Sequence, residues 1–478
     1  MGVGISLCVP AVSAGKIFGI MNVKIFKAYD VRATYPDMLN EDAAWKIGFA
    51  TARFLNANLD PRPKRADTLV VGRDMRPSSP SLAHALCEGI RAAGLNVIDI
   101  GMIDTSMIYF AINHLDALGG IQTTASHNPI QYNGFKISGP KARPIGSASG
   151  LDEIKRIALT ETASPVKPTG RYEQQDLWAE YRAHVLKFLD LRRPLRVVID
   201  GSNGMAGRMV PAVFGNVPNL TIVPLLFEIT GAFTHDPNPL VEANLDMLKK
   251  KMARETADLG ACFDGDADRC VFLEENGRLI GSDLVTALLA RDFLRQPENR
   301  GAAIVYDLRS SHVVPDEIKA AGGSPRRDRV GHAFIKKTMS ESKAVFGGEL
   351  SGHFYFRDNF FADSGAIAFA RLLSVLSAQP LPLSTLVKPL RRYSQSGELN
   401  FHVPDKDAKI AELAGAFKSA HVDYVDGITV DCGEWWFNVR QSNTEPLLRL
   451  NLEARDGHLL MTRLLDLKKI LGEPVHGH

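Results

Sequence analysis

The sequence predicts a multidomain α/β chain in which three α/β units of similar type precede a smaller α+β unit. Three observations carry this expectation: a strand–helix–strand pattern near the start, two later restarts of it, and a change of texture after a Pro-rich connection. Thr68-Leu69-Val70-Val71 reads as a strand ended by Gly72-Arg73-Asp74. Leu82, Ala85, Leu86, Ile90 and Ala93 then recur at helical spacing, Gly94 stops the helix, and Asn96-Val97-Ile98-Asp99-Ile100 reads as the next strand. Such a βαβ unit implies parallel strands with helices on the sheet faces.

The pattern restarts at Arg196-Val197-Val198-Ile199-Asp200 and at Ala303-Ile304-Val305-Tyr306-Asp307, each preceded by a connection rich in Pro and polar residues. After Gln379-Pro380-Leu381-Pro382-Leu383 the texture becomes that of antiparallel strands, at Ile428–Asp431, Trp435–Arg440 and Leu447–Leu452. The 478 residues exceed what a single core supports, and three or four domains are expected.

Composition excludes several classes. With 45% hydrophobic and 23% charged residues the chain reads as an ordinary globular protein. A net charge of +2 gives no reason to expect a nucleic-acid or acidic-membrane partner, so any field for an anionic substrate must come from locally placed Arg and Lys. The five cysteines are scattered, odd in number and without metal spacing, and read as reduced thiols in a cytoplasmic protein. No apolar run approaches the roughly 20 residues of a membrane helix. The apolar residues 1–20 lack a basic n-region and read as a flexible extension, with Met21 a normal-looking start.

Four loops carry chemistry. Thr123-Thr124-Ala125-Ser126-His127-Asn128-Pro129 follows the apolar Leu118-Gly119-Gly120-Ile121, where a strand end presents a hydroxyl to a cleft; an ordinary turn has the same residue types. Asp264-Gly265-Asp266-Ala267-Asp268-Arg269 follows a strand at Leu259–Phe263. Read as extended, it aims three carboxylates the same way, an arrangement that needs a cation; oxygen ligands suit Mg²⁺ or Ca²⁺. An EF-hand is excluded because Arg269 stands where that loop needs Gly, and because the flank turns back as a hairpin at Asn276-Gly277. Mg²⁺ with few protein ligands leaves a position for phosphate, and a phosphorylated Ser126, with charge of about −1.5 to −2, would fill it.

Gly348-Glu349-Leu350-Ser351-Gly352-His353 offers a carboxylate, a hydroxyl and an imidazole on a glycine-flexible backbone, suited to sugar hydroxyls. A capping Glu and a structural His explain it equally. Arg440-Gln441-Ser442-Asn443-Thr444-Glu445-Pro446 places one cation, hydroxyls and an amide in a tight turn, a phosphate cradle rather than a plain hairpin.

These loops, in this order, resemble those of the α-D-phosphohexomutase family, and within it the bacterial phosphomannomutase/phosphoglucomutase enzymes. The match runs from Phe26-Lys27-Ala28-Tyr29-Asp30-Val31-Arg32 to Pro446. The resemblance implies four domains around a central cleft, three with mixed sheets and a smaller α+β domain: residues 21–170, 171–278, 279–391 and 392–478, after the extension 1–20. It implies Ser126 as phosphoserine with His127 beside it, and Asp264, Asp266 and Asp268 with Ser126 as ligands of Mg²⁺. Arg269 and Lys136 stand beside the transferred phosphate, and Arg32, His332 and His353 join Lys136 as candidate acid–base groups. Tyr29, Arg309, Glu349 and Ser351 match sugar-side residues, and Arg440, Ser442, Asn443 and Thr444 the phosphate loop. Ala33 replaces a usual Gly, which restricts the loop if its φ is positive, and Arg309 replaces a usual Lys.

The implied activity is that of an intramolecular phosphotransferase: reversible transfer between the 1- and 6-positions of mannose and/or glucose phosphates. A glucose or mannose 1,6-bisphosphate serves as intermediate and activator. The expected partners are small hexose phosphates, with no nucleic acid or membrane, and a monomer is expected with a dimer as the alternative. Phosphoglucosamine mutase is the nearest alternative activity, although such enzymes usually carry Gln at the Leu350 position and Gly at that of Asn443. A serine hydrolase lacks its G-x-S-x-G elbow, and a sugar-phosphate-binding protein without turnover is the non-enzyme alternative.

Overall fold

Runs of β-branched and apolar residues form the centres of three sheets, and the points where each chain turns back are where the polar loops emerge. The computed structural model describes residues 21–58, 63–161, 167–442 and 447–475; the expected extension, and Asn443 and Thr444 of the expected phosphate loop, lie outside the described residues. The first sheet comprises β1 (Val31–Thr34), β2 (Arg65–Arg73), β3 (Asn96–Met102), β4 (Ala117–Thr123), β5 (Tyr132–Ser138) and β6 (Tyr172–Gln174), in the order β1-β5-β4-β2-β3-β6. The second holds β7 (Leu195–Asp200), β8 (Leu220–Leu225), β9 (Leu259–Phe263), β10 (Cys270–Glu274) and β11 (Leu279–Ile280), ordered β11-β10-β9-β7-β8. The third holds β12 (Ala303–Asp307), β13 (Ser324–Asp328), β14 (Phe346–Gly348), β15 (Phe354–Phe356) and β16 (Ala362–Asp363), ordered β13-β12-β14-β15-β16. The fourth is wholly antiparallel: β17 (Ser394–His402), β18 (His421–Asp423), β19 (Ile428–Asp431), β20 (Trp435–Gln441) and β21 (Leu447–Ala454), ordered β17-β21-β20-β19-β18. The expected fold class is the observed one.

One topological rule unites the first three sheets. A central strand (β2, β7 or β12) pairs in parallel with a second (β4, β9 or β14), which then turns back into an antiparallel neighbour (β5, β10 or β15). The serine, triple-Asp and Glu349 loops occupy this same turn in each unit. At the end of each central strand an Asp accepts the N–H two residues on: Asp74 from Arg76 (3.0 Å), Asp200 from Ser202 (2.9 Å) and Asp307 from Arg309 (2.8 Å). These are Asx turns, in which a side chain stands in for a backbone acceptor.

The helix Thr105–His114 explains how three sheets become one body. It is buried from Thr105 to Ile112, and its Met107, Ile108 and Phe110 share a continuous core with Val210 and Phe272 of the second unit and Phe356 and Phe369 of the third. The fourth unit has its own core, around Phe401, Phe437, Leu450 and Leu467. It meets the third unit through polar contacts, such as His312 N–H to Glu453 Oε1 (2.9 Å) and Gln395 Nε2 to Asp283 Oδ2 (2.8 Å). Polar interfaces of this kind suit a domain that opens and closes.

Several local expectations change. The triple-Asp loop is a tight turn rather than extended: Ala267 donates to the Asp264 carbonyl (3.1 Å) with φ +59. Its carboxylates still converge. Gly348 is not a flexible point; it lies in β14, where a Cβ would meet Thr286 Oγ1 at 2.1 Å. Arg440, which opens the expected phosphate loop, lies in β20, in line with the strand expected at Trp435–Arg440. Ala33 pairs with Asn133 in β1 and has no positive φ, so its loop is not restricted by the extra methyl. Among the described residues no helix is long and apolar enough to cross a membrane. Cys87, Cys262 and Cys270 are buried free thiols, as expected, and burial pushes them up.

Close helix packing in the first unit is enforced by glycine. A Cβ at Gly89, in the helix Ser79–Ala92, would lie 2.0 Å from the Trp45 carbonyl oxygen of the helix Glu41–Ala57. Alanine gains about 1 kcal/mol of helix propensity, but overpacking against backbone costs about 1–3 kcal/mol or more. Gly89→Ala is therefore predicted to be destabilising by about 1–2 kcal/mol net, measured as a lowered urea midpoint with unchanged m-value; a stabilised variant would show that the helices yield.

Candidate active site

Arg76 organises the serine loop. Its side chain is fully buried beside Asp74, with Nε 3.1 Å from Asp74 Oδ2. Its remaining N–H groups donate to the carbonyls of Pro129 (2.7 Å), Tyr132 (3.0 Å), Ser126 (2.8 Å) and Asn128 (2.6 Å). Four carbonyls on one planar cation fix a loop that has no ladder of its own. Ser126 is held there at φ +49, the left-handed region that costs a residue with a Cβ about 1–2 kcal/mol. Its Oγ donates to Asp264 Oδ2 at 2.7 Å, and His127 Nδ1 lies 3.3 Å from the same oxygen.

The triple-Asp loop is clamped between units. Thr105 donates to Asp266 twice, from N–H to the carbonyl (3.0 Å) and from Oγ1 to Oδ2 (2.6 Å). A Cβ at Gly265 would lie 2.4 Å from the Ser126 carbonyl oxygen, so the two loops touch backbone to backbone. Oxygens of Asp264, Asp266 and Asp268 lie within 4.8 Å of one another, and all three side chains are buried. Lys136 on β5 donates to Asp266 Oδ2 (2.7 Å) and Asp268 Oδ2 (2.5 Å). Burial opposes its charge, but the Asp266, Asp268 and Asp264 carboxylates raise its pKa further, so it stays protonated. Burial, with the Asp266 and Asp268 charges, pushes Asp264 well above the usual carboxylate range. One ammonium thus leaves the cluster short of positive charge. Asp266 Oδ1 is buried with no hydrogen-bond partner among the described residues. Among the described residues, Asp268 Oδ1 is approached by His353 Nε2, at 3.4 Å. Hard oxygens, surplus negative charge and an open donor fit a small divalent cation.

Cations surround the serine. Burial, then the charges of Arg269, Arg32 and Lys136, hold His127 well below its usual range, so it is a neutral imidazole in a positive field. Arg269 Nε is 3.8 Å from Asp264 Oδ2. Arg32 donates to Asn128 Oδ1 (2.6 Å) and to Asp30 Oδ2 (2.5 Å). An anion on Ser126 would face guanidinium and ammonium groups from β1, β5 and the triple-Asp loop.

The third-unit loop folds over the same place. Glu349 Oε1 accepts the Gly331 N–H (2.9 Å), and Oε2 accepts the Tyr355 hydroxyl. Ser351 Oγ is 3.0 Å from His353 Nδ1, leaving Nε2 between Asp268 Oδ1 (3.4 Å) and Asp363 Oδ2 (3.9 Å). Asp363 is held by Lys336 Nζ at 2.6 Å, itself 3.8 Å from the Tyr109 ring centroid. Tyr29 meets His332 edge-on, with centroids 5.9 Å apart. Burial, then the Lys336 charge, pushes His332 down to about 3. Burial, then Asp426 and Glu349, raise Tyr29, while Arg329 and Arg440 lower it, so the first, third and fourth units all address this phenol.

Arg440, on β20, donates to Glu398 Oε2 (2.7 Å), and Arg449, on β21, to Glu398 Oε1 (3.2 Å). Arg309 forks onto Asp307, with Nε–Oδ1 3.1 Å and NH2–Oδ2 2.9 Å, the wide planar contact expected where Arg replaces Lys. Its NH1 points to Glu398 Oε2 at 3.7 Å. Ser442, just past the end of β20, is buried, and its N–H donates to the Leu447 carbonyl (2.9 Å).

The structure therefore brings together Ser126, His127, Lys136, Arg32, Arg269 and the three aspartates, with Glu349, Ser351, His353, Tyr29 and His332 beside them. Arg309, Arg440 and Ser442 form the far end. Sequence reasoning missed Arg76, Thr105, Asp363, Lys336, Arg449 and Glu398. Arg73-Asp74-Met75-Arg76 at a strand end was a usable signal for Arg76, and Arg449 in the apolar alternation Leu448-Arg449-Leu450 for another buried cation.

All four units match models of one family, phosphoglucomutase/phosphomannomutase: alpha/beta/alpha domain I over residues 23–164, domain II over 179–277, domain III over 281–393 and the C-terminal domain over 398–467. The chain is 40% identical over 459 residues to a protein named phosphohexose mutases from Xanthomonas campestris, covering 94% of this chain and 100% of that one. It is 39% identical over 461 residues to phosphomannomutase from Escherichia coli K12, covering 94% and 99%. Its fold superposes on the crystal structure of a phosphoglucomutase/phosphomannomutase family protein from Burkholderia thailandensis with TM-score 0.85 and 32% identity, over 94% of this chain and 97% of that one.

Replacing Arg76 with Met keeps its bulk and strands Asp74 and four carbonyls. Arg76→Met is predicted to lose about 3–5 kcal/mol of stability, the range for breaking a buried ion pair on one side. Amide exchange over residues 126–132 should accelerate more than in the rest of the chain. Uniform exchange would show that the loop does not depend on this side chain.

Proposed function

The chain belongs to the phosphoglucomutase/phosphomannomutase family, and on that premise we propose that it interconverts hexose 1-phosphates and hexose 6-phosphates of mannose, glucose or both. The observation that carries the reading is Ser126 Oγ, 2.7 Å from a buried carboxylate triad and surrounded by cations. A hydrolase would need that hydroxyl beside a base that could take its proton; here its near neighbour His127 is held neutral and poorly basic. A phosphate carrier needs cations, and they are present.

In the proposed cycle Ser126 carries a phosphoryl group. The bond from phosphorus to Oγ breaks as a bond to the free sugar hydroxyl forms, giving a 1,6-bisphosphate and a free serine. The bisphosphate turns end for end, and its other phosphoryl group passes to Ser126, leaving the isomeric monophosphate. Arg269 and Lys136 offset charge on the moving oxygens. Asp264, Asp266 and Asp268 would hold Mg²⁺, which supplies further neutralisation of that charge.

The sugar hydroxyl must lose a proton as it attacks. Lys136 is pinned protonated between two carboxylates, Asp30 and the nearby metal-loop carboxylates keep Arg32 charged despite burial, and His332 is too weak a base. That leaves His353, whose Nε2 faces Asp268 and Asp363. Glu349 and Ser351 would read sugar hydroxyls shared by both substrate orientations, and the Arg440 group would anchor the phosphate that is not reacting. The polar seam between third and fourth units suits closure over the cleft, which keeps water from the phosphoserine. The amino-sugar alternative is not favoured, since the relatives carry hexose-mutase names.

Ser126→Ala tests the reading. Turnover of mannose and glucose 1-phosphates should fall by at least about 10³-fold, while hexose-phosphate affinity stays within a few fold by calorimetry. Retained turnover would end the phosphoserine mechanism, and a preference for glucosamine 1-phosphate in the parent enzyme would overturn the substrate assignment.

A further inference from the structure

The fourth unit carries an electrostatic conflict that points to a residue outside the sequence motifs. Arg440 and Arg449 stand directly opposite one another in the β20–β21 ladder. Like charges in that relation repel, and Arg440 is buried. Arg309 brings a third guanidinium from the neighbouring unit, with Asp307 taken up by its own fork. All three cations converge on one carboxylate, Glu398, at 2.7, 3.2 and 3.7 Å.

Backbone geometry shows how Glu398 reaches this position. The β17–β21 register shifts between Gln395 and Glu398, and Gly397 within the bulge has φ +69. A bulge with Gly in the left-handed region re-aims the side chain beside it. Ser396 Oγ accepts the Leu452 N–H (3.1 Å), fixing the bulge from within. Arg440 Nε has no hydrogen-bond partner among the described residues. The group is prepared for an anion while already holding one.

We propose that Glu398 is a resident counter-anion of the phosphate-anchoring site: it keeps Arg309, Arg440 and Arg449 gathered while the site is empty and weakens their hold on a bound phosphate. The consequence for turnover rests on the mutase reading; the consequence for phosphate binding does not. In that reading the same arginines must grip one end of the sugar, release it as the bisphosphate turns, and grip the other end. Without Glu398 these guanidiniums would hold a phosphate dianion too firmly for that exchange, and their mutual repulsion in the empty site would rise. A carboxylate at their centre serves both needs by repelling the phosphate and pre-assembling the donors. Glu398 is thus a positioning residue.

Inorganic phosphate is the probe, titrated calorimetrically into the full-length enzyme, with hexose 1-phosphate kinetics run in parallel. Glu398→Gln should bind phosphate about tenfold more tightly, lower KM for hexose 1-phosphate, and lower kcat because the bisphosphate leaves the anchor slowly. Glu398→Asp, which keeps the charge, should remain near the parent in phosphate affinity and guards against a folding defect in the first variant. Unchanged or weaker phosphate binding by Glu398→Gln, with a thermal midpoint like the parent's, would overturn the proposed weakening of the hold on phosphate and leave Glu398 as no more than a scaffold for the arginines. If the parent fails to turn over hexose phosphates, the mutase reading falls, while the phosphate titration still decides the role of Glu398.

Discussion

Three buried carboxylates within reach of one another, Asp264, Asp266 and Asp268, set the terms for the rest of the molecule. They cannot all be ionised in a poorly solvated place without cations to offset them. Lys136 supplies one and Arg269 approaches Asp264 with another, while the His353 imidazole abuts Asp268. Because these groups come from three units, the carboxylates act as the electrostatic centre on which the units are assembled. Ser126 is joined to that centre by a hydrogen bond to Asp264, and the cations that restrain the carboxylates also face any phosphoryl group on the serine. The same balance recurs on a smaller scale at the far end of the cleft, where arginines gather on Glu398.

The repeated architecture explains why such an assembly is possible. Each α/β unit places its loop where a parallel pair gives way to an antiparallel one, and each ends its central strand with an Asp that locks the following turn. In the first and third units that Asp also binds an arginine, Arg76 or Arg309, but the two have different tasks. Arg76 gathers four carbonyls and rigidifies the serine loop, whereas Arg309 keeps an N–H directed across to the fourth unit. One scaffold, used three times, yields a serine loop, an acidic loop and the Glu349 loop, which meet at a common point. The helix Thr105–His114 makes their meeting rigid, since it is core to all three units.

Much of this was legible in the sequence because loops with their own chemistry announce themselves locally. Ser126, the three aspartates, Glu349 and His353 stand in short runs beside recognisable strand ends, and the turn of fold class after Gln379-Pro380 is visible in residue texture. Less visible were groups whose role arises only from folding. Arg76 reaches its four carbonyls fifty or more positions along the chain, and Glu398 meets arginines on other strands. Lys336 and Asp363 find each other across the third unit, with Tyr109 of the first beneath. Where local reasoning was misled, packing is the reason. Gly348 looked flexible but is a site of close approach to Thr286.

The central claim is that Ser126 passes a phosphoryl group to and from the sugar. The most direct measurement is a chase: enzyme labelled with radioactive phosphoryl from a hexose 1,6-bisphosphate is mixed with unlabelled hexose 1-phosphate, and the label is followed by peptide mapping and sugar chromatography. The account predicts label on the peptide containing Ser126 alone, released within one turnover into a bisphosphate. Label that stays on the enzyme through many turnovers, or that resides on another residue, would contradict it.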